Sequence, residues 1–239
     1  MDTLKFTLPS GRPVEIQEFT AEAERIMDNR QEMKSGRWLN KLLAKALVSL
    51  DDKPVPKNEG ERVSLLLDML TGDRNYLILQ ARIFNYGAEM MFNYKCPKCG
   101  KTSGYSMNLQ EMLDDGTLKV YLYRDDVPIT IETRSGTVEV DYLTGREEQW
   151  LAGLKDIDRI HLAMAMCKSL NGRAPEYKEF ASMFAKDITE IRKVGNSLKG
   201  GLDATIELEC LECDNSYNVM LYEIPDFFTP LTITGNTGL

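Results

Sequence analysis

Four of the five cysteines stand in two tight pairs, Cys96-Pro97-Lys98-Cys99-Gly100 and Cys210-Leu211-Glu212-Cys213-Asp214. A Cys-x-x-Cys turn points two thiolates at one metal ion, and a trailing glycine lets backbone amides turn toward sulfur. The second pair has neither the proline nor the glycine, so it is expected to form the poorer knuckle. Together the pairs supply the four ligands of a closed tetrahedral site for Zn2+, with no position left for water or substrate. The chemistry expected of Cys96, Cys99, Cys210 and Cys213 is therefore structural zinc binding. Two other readings stay open: redox pairs, which need a thioredoxin-like βαβ context that the sequence does not display, and inert buried thiols. The 110 residues between Cys99 and Cys210 exceed the span of a compact ribbon. Charge favours their meeting, because Lys95, Lys98 and Lys101 flank the first knuckle and Glu207, Glu209, Glu212 and Asp214 the second, a modest attraction where solvent-exposed.

The remaining reactive residue types point away from catalysis. Cys167 lies in LAMAMCKSL, read as an apolar helix in which a single cysteine is a small core hydrophobe. His161, the only histidine, is six positions earlier and off that helix face. Glu147, Glu148, Asp156 and Asp158 cluster near helix starts, where the macrodipole favours negative charge, and read as a solvated face. No phosphate-cradling glycine loop, Ser-His-Asp set or His-Glu-x-x-His helix is present. A non-enzyme is expected. Met27, Met33, Met69, Met90, Met91, Met164, Met166 and Met183 fall mostly at core spacing and read as gap-fillers. The segment from Ile224, IPDFFTPLTITGNTGL, carries Phe227 and Phe228 between prolines with no helix to bury them. Such a tail should dock on its own core or on a neighbour, which makes the two phenylalanines candidate interface residues.

The elements that would bring the cysteines together are suggested by an internal echo. SGRPVEIQEFTAEAE from Ser10 matches SGTVEVDYLTGREE from Ser135, each a Ser-Gly turn, a short alternating strand and a helix start. Thr20 and Thr144 are the expected N-caps; Thr144 has Glu147 three residues on as a capping box, and Thr20 lacks that partner. LLAKALVSLDDKP matches LAMAMCKSLNGRAP, each read as a helix ending in Ser-Leu before a polar turn. Asp73 lies 23 residues before Cys96, and Asp187 lies 23 before Cys210. Those aspartates are expected to cap the last helix of each half, followed by Gly87 or Gly201 and a strand into the knuckle. The expected architecture is α+β and internally duplicated: lobe 1–115, lobe 116–223 and apolar tail 224–239. A pseudo-twofold relation would let the two knuckles share one ion.

Composition sets the outer limits. At 239 residues with 43% hydrophobic and 28% charged residues, the chain can bury a sizeable core. It has no basic-then-apolar leader and no run of about 18 apolar residues, so membrane insertion is not expected. Paired cysteines without a disulfide framework suit a reducing cytoplasm. A net charge of −8 opposes docking on phosphate backbones, leaving a zinc-ribbon nucleic-acid binder as a weaker alternative.

Taken together, LPSG-x-x-VEI-x-E-x-T near the start, SL-x-x-K-P, the CPKCG knuckle, and a second C-x-x-C followed by a strand and IPDFF-x-P resemble the zinc-knuckle baseplate hub and tail-assembly proteins of contractile-tailed, T-even-type bacteriophages. The resemblance covers about residues 5 to 230. It implies a part of the phage tail baseplate, made in the host cytoplasm and built into the virion. Partners would be other baseplate and tail proteins, with no nucleic acid or membrane and with room for oligomerisation within the assembly. A tail-assembly chaperone that leaves before maturation is the alternative the same resemblance permits.

Overall fold

A computed structural model of the chain describes residues 2–28, 37–224 and 227–228. Helices and strands are interspersed throughout, the α+β class expected. The first hairpin pairs β1 (Thr3–Thr7) with β2 (Pro13–Gln17) across the Ser10-Gly11 turn, where Gly11 has φ +86°. Alternation in β2 buries Val14 and Ile16, as a half-buried strand requires. After α1 (Ala21–Asp28), whose Ala23 N–H donates to the capping Thr20 hydroxyl at 3.2 Å, α2 (Trp38–Ala46) runs directly into β3 (Leu47–Leu50). With β4 (Lys53–Pro54) these strands form one antiparallel sheet, ordered β1-β2-β3-β4.

α3 (Glu59–Leu67), capped by Asn58, and α4 (Thr71–Tyr86) lead to β5 (Glu89–Lys95), the first knuckle and β6 (Thr102–Asn108). Then come α5 (Leu109–Asp114) and the short strand β7 (Val120–Tyr121). A second sheet follows, in the order β10-β9-β8, from β8 (Ile129–Thr133), β9 (Gly136–Val140) and β10 (Cys167–Leu170). Between β9 and β10 lie α6 (Gly145–Ala152), opened by the complete Thr144–Glu147 capping box, and α7 (Arg159–Ala165). α8 (Tyr177–Ser182), α9 (Ala185–Ser197) and β11 (Gly201–Leu202), which pairs with β7, precede the closing hairpin of β12 (Thr205–Glu209) and β13 (Ser216–Met220).

Two readings of the paired echo segments are corrected. Both LLAKALVSL and LAMAMCKSL leave the helix before Ser-Leu and finish as strands: their end residues Leu47, Leu50, Cys167 and Leu170 are buried by pairing with β2 and β9, and this tertiary pairing overrides the local helical pattern. Asp73 and Asp187 are not caps: they sit in the first turns of α4 and α9, whose N-caps are Leu70 and Phe184. Met91 is also corrected, since it is 61% exposed while its neighbour Met90 is buried on the opposite face of β5. Met33 lies outside the described residues.

Buried apolar side chains form two clusters. The larger draws on residues from Leu8 to Leu118 and again from Leu202 to Phe228; the smaller gathers Ile131, Val138, Val140, Cys167, Phe180 and Ile191 with their neighbours. The closing hairpin thus contributes Ile206, Leu208 and Val219 to the same core as Met90 and Phe92 of the first hairpin. The chain returns after some 110 residues to complete it, and that return positions the cysteines.

Candidate metal centre

Each knuckle grows from the end of a hairpin whose strands pair residue for residue, Lys95 opposite Thr102 and Glu209 opposite Ser216. In the first, Cys96 N–H donates to the Lys101 carbonyl at 2.8 Å and Gly100 N–H to the Cys96 carbonyl at 3.0 Å. In the second, Cys210 N–H donates to the Asn215 carbonyl at 3.0 Å and Asp214 N–H to the Cys210 carbonyl at 2.9 Å. The two turns have the same hydrogen-bond pattern. Gly100 has φ +71° and Asp214 has φ +52°, so an aspartate occupies the left-handed position that glycine fills in its counterpart. Aspartate enters that region more readily than most residues. The expectation of a poorer second knuckle is therefore corrected: its turn is as complete as the first.

The four sulfurs lie within 4.8 Å of one another. Cys96 Sγ is 3.8 Å from Cys213 Sγ, and Cys99 Sγ is 3.7 Å from Cys210 Sγ. If a local twofold exchanges first with first and second with second cysteine of each knuckle, those two contacts are equivalent. A zinc ion with Zn–S bonds of about 2.3 Å has tetrahedral edges of about 3.8 Å, whereas a disulfide needs about 2.05 Å. The sulfurs are thus spaced for a shared ion, and all are free thiols. Tetrahedral S4 sets select zinc or iron among common metals.

Cys96 and Cys210 are buried, Cys213 is half-buried and Cys99 is exposed, so the cluster has a protein side and an open side. Backbone N–H groups of Cys99 and Lys98 bring the Cys96 thiol down to about 6, the Lys98 donor standing 3.4 Å from its sulfur. Loss of solvation pushes Cys213 up to about 12. A divalent cation would displace the remaining protons and leave four charge-stabilised ligands. The hairpins also meet beyond the sulfurs. Tyr105 hydroxyl donates to the Glu209 carbonyl at 3.0 Å and lies 3.0 Å from the Tyr217 hydroxyl, and Tyr94 stacks on Tyr217. At the exposed rim Lys101 pairs with Glu212 at 2.7 Å, one contact between the oppositely charged flanks.

Elsewhere the predicted residues separate. Cys167 is on strand β10, not a helix; burial raises its thiol to about 12, and its S–H donates to the Ser169 carbonyl. His161 caps back onto Asp158. Glu148 is not part of a solvated face: it forms an ion pair with Arg74, which also reaches Asn40 at 3.3 Å, and burial raises its carboxyl. Phe227 and Phe228 are buried, Phe228 lying edge-on to Phe19, Trp38 and Tyr86. Phe19 before α1, Trp38 of α2 and Tyr86 of α4 supply the shelf for Phe228; residues 225–226 and 229–239 lie outside those described.

Three structural contacts had no sequence signal beyond register. Asp73, fully buried, accepts hydrogen bonds from the Ser10 backbone N–H at 3.0 Å and from its hydroxyl. Gly72 of α4 lies against the Gly200–Gly201 backbone with no room for a side chain. Leu70 bridges Thr144, with Thr71 N–H on the Leu143 carbonyl at 2.9 Å. The first two contacts tie elements of the larger core together; the third joins the segment after Met69 of that core to the segment after Val140 of the smaller one.

A family model described as T4 bacteriophage base plate protein matches residues 1–229. No curated protein and no solved structure matches the chain significantly. Among the described residues no helix is long and apolar enough to cross a membrane.

Proposed function

The chain belongs to the T4 bacteriophage base plate protein family, and from that membership we propose that it is a structural component of the hub region of a contractile tail baseplate. Base plate families are generally non-enzymatic, and their setting is the virion tail among other tail proteins. Within that setting the chain acts through protein–protein contacts, without catalysis, nucleic acid or membrane. It is made in the host cytoplasm before incorporation.

A structural zinc held by Cys96, Cys99, Cys210 and Cys213 fixes one half of the chain against the other. The observation that carries this reading is the pair of cross-hairpin sulfur contacts at 3.8 and 3.7 Å, at tetrahedral spacing and joining segments far apart in sequence. The zinc sets the angle between neighbouring interfaces, so its contribution is geometric. The equivalence of the two knuckles, and of the Ser-Gly hairpins and helix-to-strand runs before them, supports an internal duplication with lobes 1–115 and 116–223 and a tail from 224.

Metal analysis and native mass on the purified protein test the zinc: one ion per chain is expected, and metal-free protein with four accessible thiols refutes it. Immunodetection in purified virions tests the assignment to the particle. Absence there, with presence in assembly intermediates, would make it an assembly chaperone instead.

A further inference from the structure

The four clustered sulfurs differ in their access to solvent. Cys96 and Cys210, the first cysteine of each knuckle, are buried, Cys213 is half-buried and Cys99 is exposed. Cys99 is thus the sulfur that a small solute reaches first, and the thiolate is the form of cysteine that attacks an electrophile. It stands 3.7 Å from Cys210 across the junction, and Cys96 stands 3.8 Å from Cys213. Each contact joins the first cysteine of one knuckle to the second of the other. Closing either into a disulfide of about 2.05 Å takes a shift of about 1.7 Å, shared between two side chains.

The hairpins are also held together away from the sulfurs. Met90 and Phe92 share a core with Ile206, Leu208 and Val219. The Tyr105 hydroxyl donates to the Glu209 carbonyl, Tyr94 stacks on Tyr217, and Lys101 pairs with Glu212 at the rim. Within each knuckle, hydrogen bonds from Gly100 N–H to the Cys96 carbonyl and from Asp214 N–H to the Cys210 carbonyl fix the turn. None of these contacts passes through sulfur, so they keep the two sulfur pairs opposite each other through a change at the sulfurs themselves.

We propose that the cluster is an oxidation site for hydrogen peroxide, with Cys99 as the attacking residue and two disulfides across the junction, Cys99–Cys210 and Cys96–Cys213, as the product. The Cys99 thiolate attacks one peroxide oxygen; the O–O bond breaks, Cys99 becomes a sulfenic acid, and the displaced hydroxide takes a proton and leaves as water. The Cys210 thiolate then attacks the sulfenic sulfur; the S–S bond forms, the S–O bond breaks, and a second hydroxide takes a proton and leaves as water. Two thiolates are oxidised and one peroxide reduced per disulfide, and Cys213 and Cys96 repeat the sequence with a second peroxide. A sulfur spent in a disulfide is no longer a metal ligand, so bound zinc is released as covalent links take over the junction. This inference rests on the shared metal site proposed above; that the exchange occurs when a particle leaves the reducing host cytoplasm rests further on the base plate reading.

The test treats the purified, zinc-loaded full chain with hydrogen peroxide, follows zinc release with a chromophoric chelator, alkylates the remaining thiols and maps disulfides by mass spectrometry. Trypsin cutting after Lys98 and Glu-C cutting after Glu212 separate the two cysteines of each knuckle, so the two possible pairings give different peptides. Expected are complete loss of zinc, peptides joining Cys99 to Cys210 and Cys96 to Cys213, and Cys167 recovered alkylated. The product should run faster than the reduced chain on a non-reducing gel, since Cys99 and Cys210 close a loop of 111 positions, and reduction in the presence of zinc should restore the metal. With dimedone present during brief oxidation, the sulfenic adduct should fall on Cys99. Cys167→Ala should give the same map. Disulfides within the knuckles, links between chains, zinc retained under peroxide, or a dimedone adduct chiefly on another cysteine would overturn the proposal. Those results, obtained on zinc-loaded protein, remove this inference alone, whereas protein purified without metal and with four accessible thiols removes the shared site along with it.

Discussion

Replacing Cys99 with serine isolates the metal from the rest of the fold. Cys99 is exposed, so exchanging sulfur for oxygen removes almost no buried contact, and any large effect must come through the ion. Cys99 and Cys210 are 111 positions apart, so an ion held by both would close a loop of that size in the unfolded chain. A covalent link across about 100 residues stabilises by about 4.7 kcal/mol on chain-entropy grounds. That is an upper value here, because zinc also binds cysteines in the unfolded state. For a chain of this size about 1 kcal/mol moves Tm by roughly 2–4 °C, so the upper limit of the fall is about 10–20 °C and a fall of several degrees is expected. The assay is thermal unfolding by circular dichroism with and without a zinc chelator, alongside metal content. Wild type with chelator should melt near Cys99→Ser, whereas the variant should respond little to chelator. Far-UV signal at low temperature should persist, since Ile206, Leu208 and Val219 still pack in the main core. Cys167→Ala is the control, retaining zinc because its sulfur faces Ser169. A Cys99→Ser protein with wild-type Tm and wild-type zinc would refute the shared site.

Gly72→Ala should cost about 3 kcal/mol or more in a urea melt, because its Cβ would overlap the Gly200 carbonyl, rigid backbone rather than a flexible side chain; a neutral effect would show that α4 does not pack against the Gly200–Gly201 backbone. At φ +71° with no steric obstacle to a Cβ, Gly100→Ala should cost about 1–2 kcal/mol through backbone strain alone. Gly100→Asp should cost less, since Asp214 already holds that conformation, and equal costs would sink the equivalence of the knuckles. Asp73 has its carboxyl raised above the usual range by burial, against the opposing Ser10 hydrogen bonds. A raised carboxyl binds its proton more tightly folded than unfolded, so its contribution to stability falls as pH climbs from the unfolded value through the folded one. Asp73→Asn, which can still exchange hydrogen bonds with Ser10, should flatten stability over that window above the ordinary carboxylate range; an unchanged slope in pH-dependent denaturation would assign the titration elsewhere. Arg74→Met leaves Glu148 without its ion-pair partner in a mostly buried setting and should cost about 3 kcal/mol, read as a shift in urea midpoint.

What the sequence determined by itself was local. A Cys-x-x-Cys turn, a Ser-Gly hairpin and the Thr144–Glu147 capping box are built from neighbours within a few residues, so residue type and spacing suffice to specify them, and alternation in VEI marks which strand positions face inward, whereas the consecutive apolar residues of EMMF hide that Met91 faces out. Where local patterns compete, sequence misleads: LLAKALVSL and LAMAMCKSL have helical apolar spacing to their ends, yet available pairing with β2 and β9 turns Leu47–Leu50 and Cys167–Leu170 into strands. Asp214 was misjudged because residue identity alone does not reveal that the two knuckle hydrogen bonds hold its backbone left-handed. Only the tertiary structure decided the long-range facts. Phe228 returns to a shelf made by Phe19, Trp38 and Tyr86, with Phe227 edge-on to it, and Glu148 leaves solvent for Arg74. The 3.7–3.8 Å sulfur spacing arises because β12 and β13 complete the core begun by β5. Such contacts depend on burying apolar surface that no single segment can cover, so their partners are chosen by the shape of the whole core rather than by any pattern along the chain.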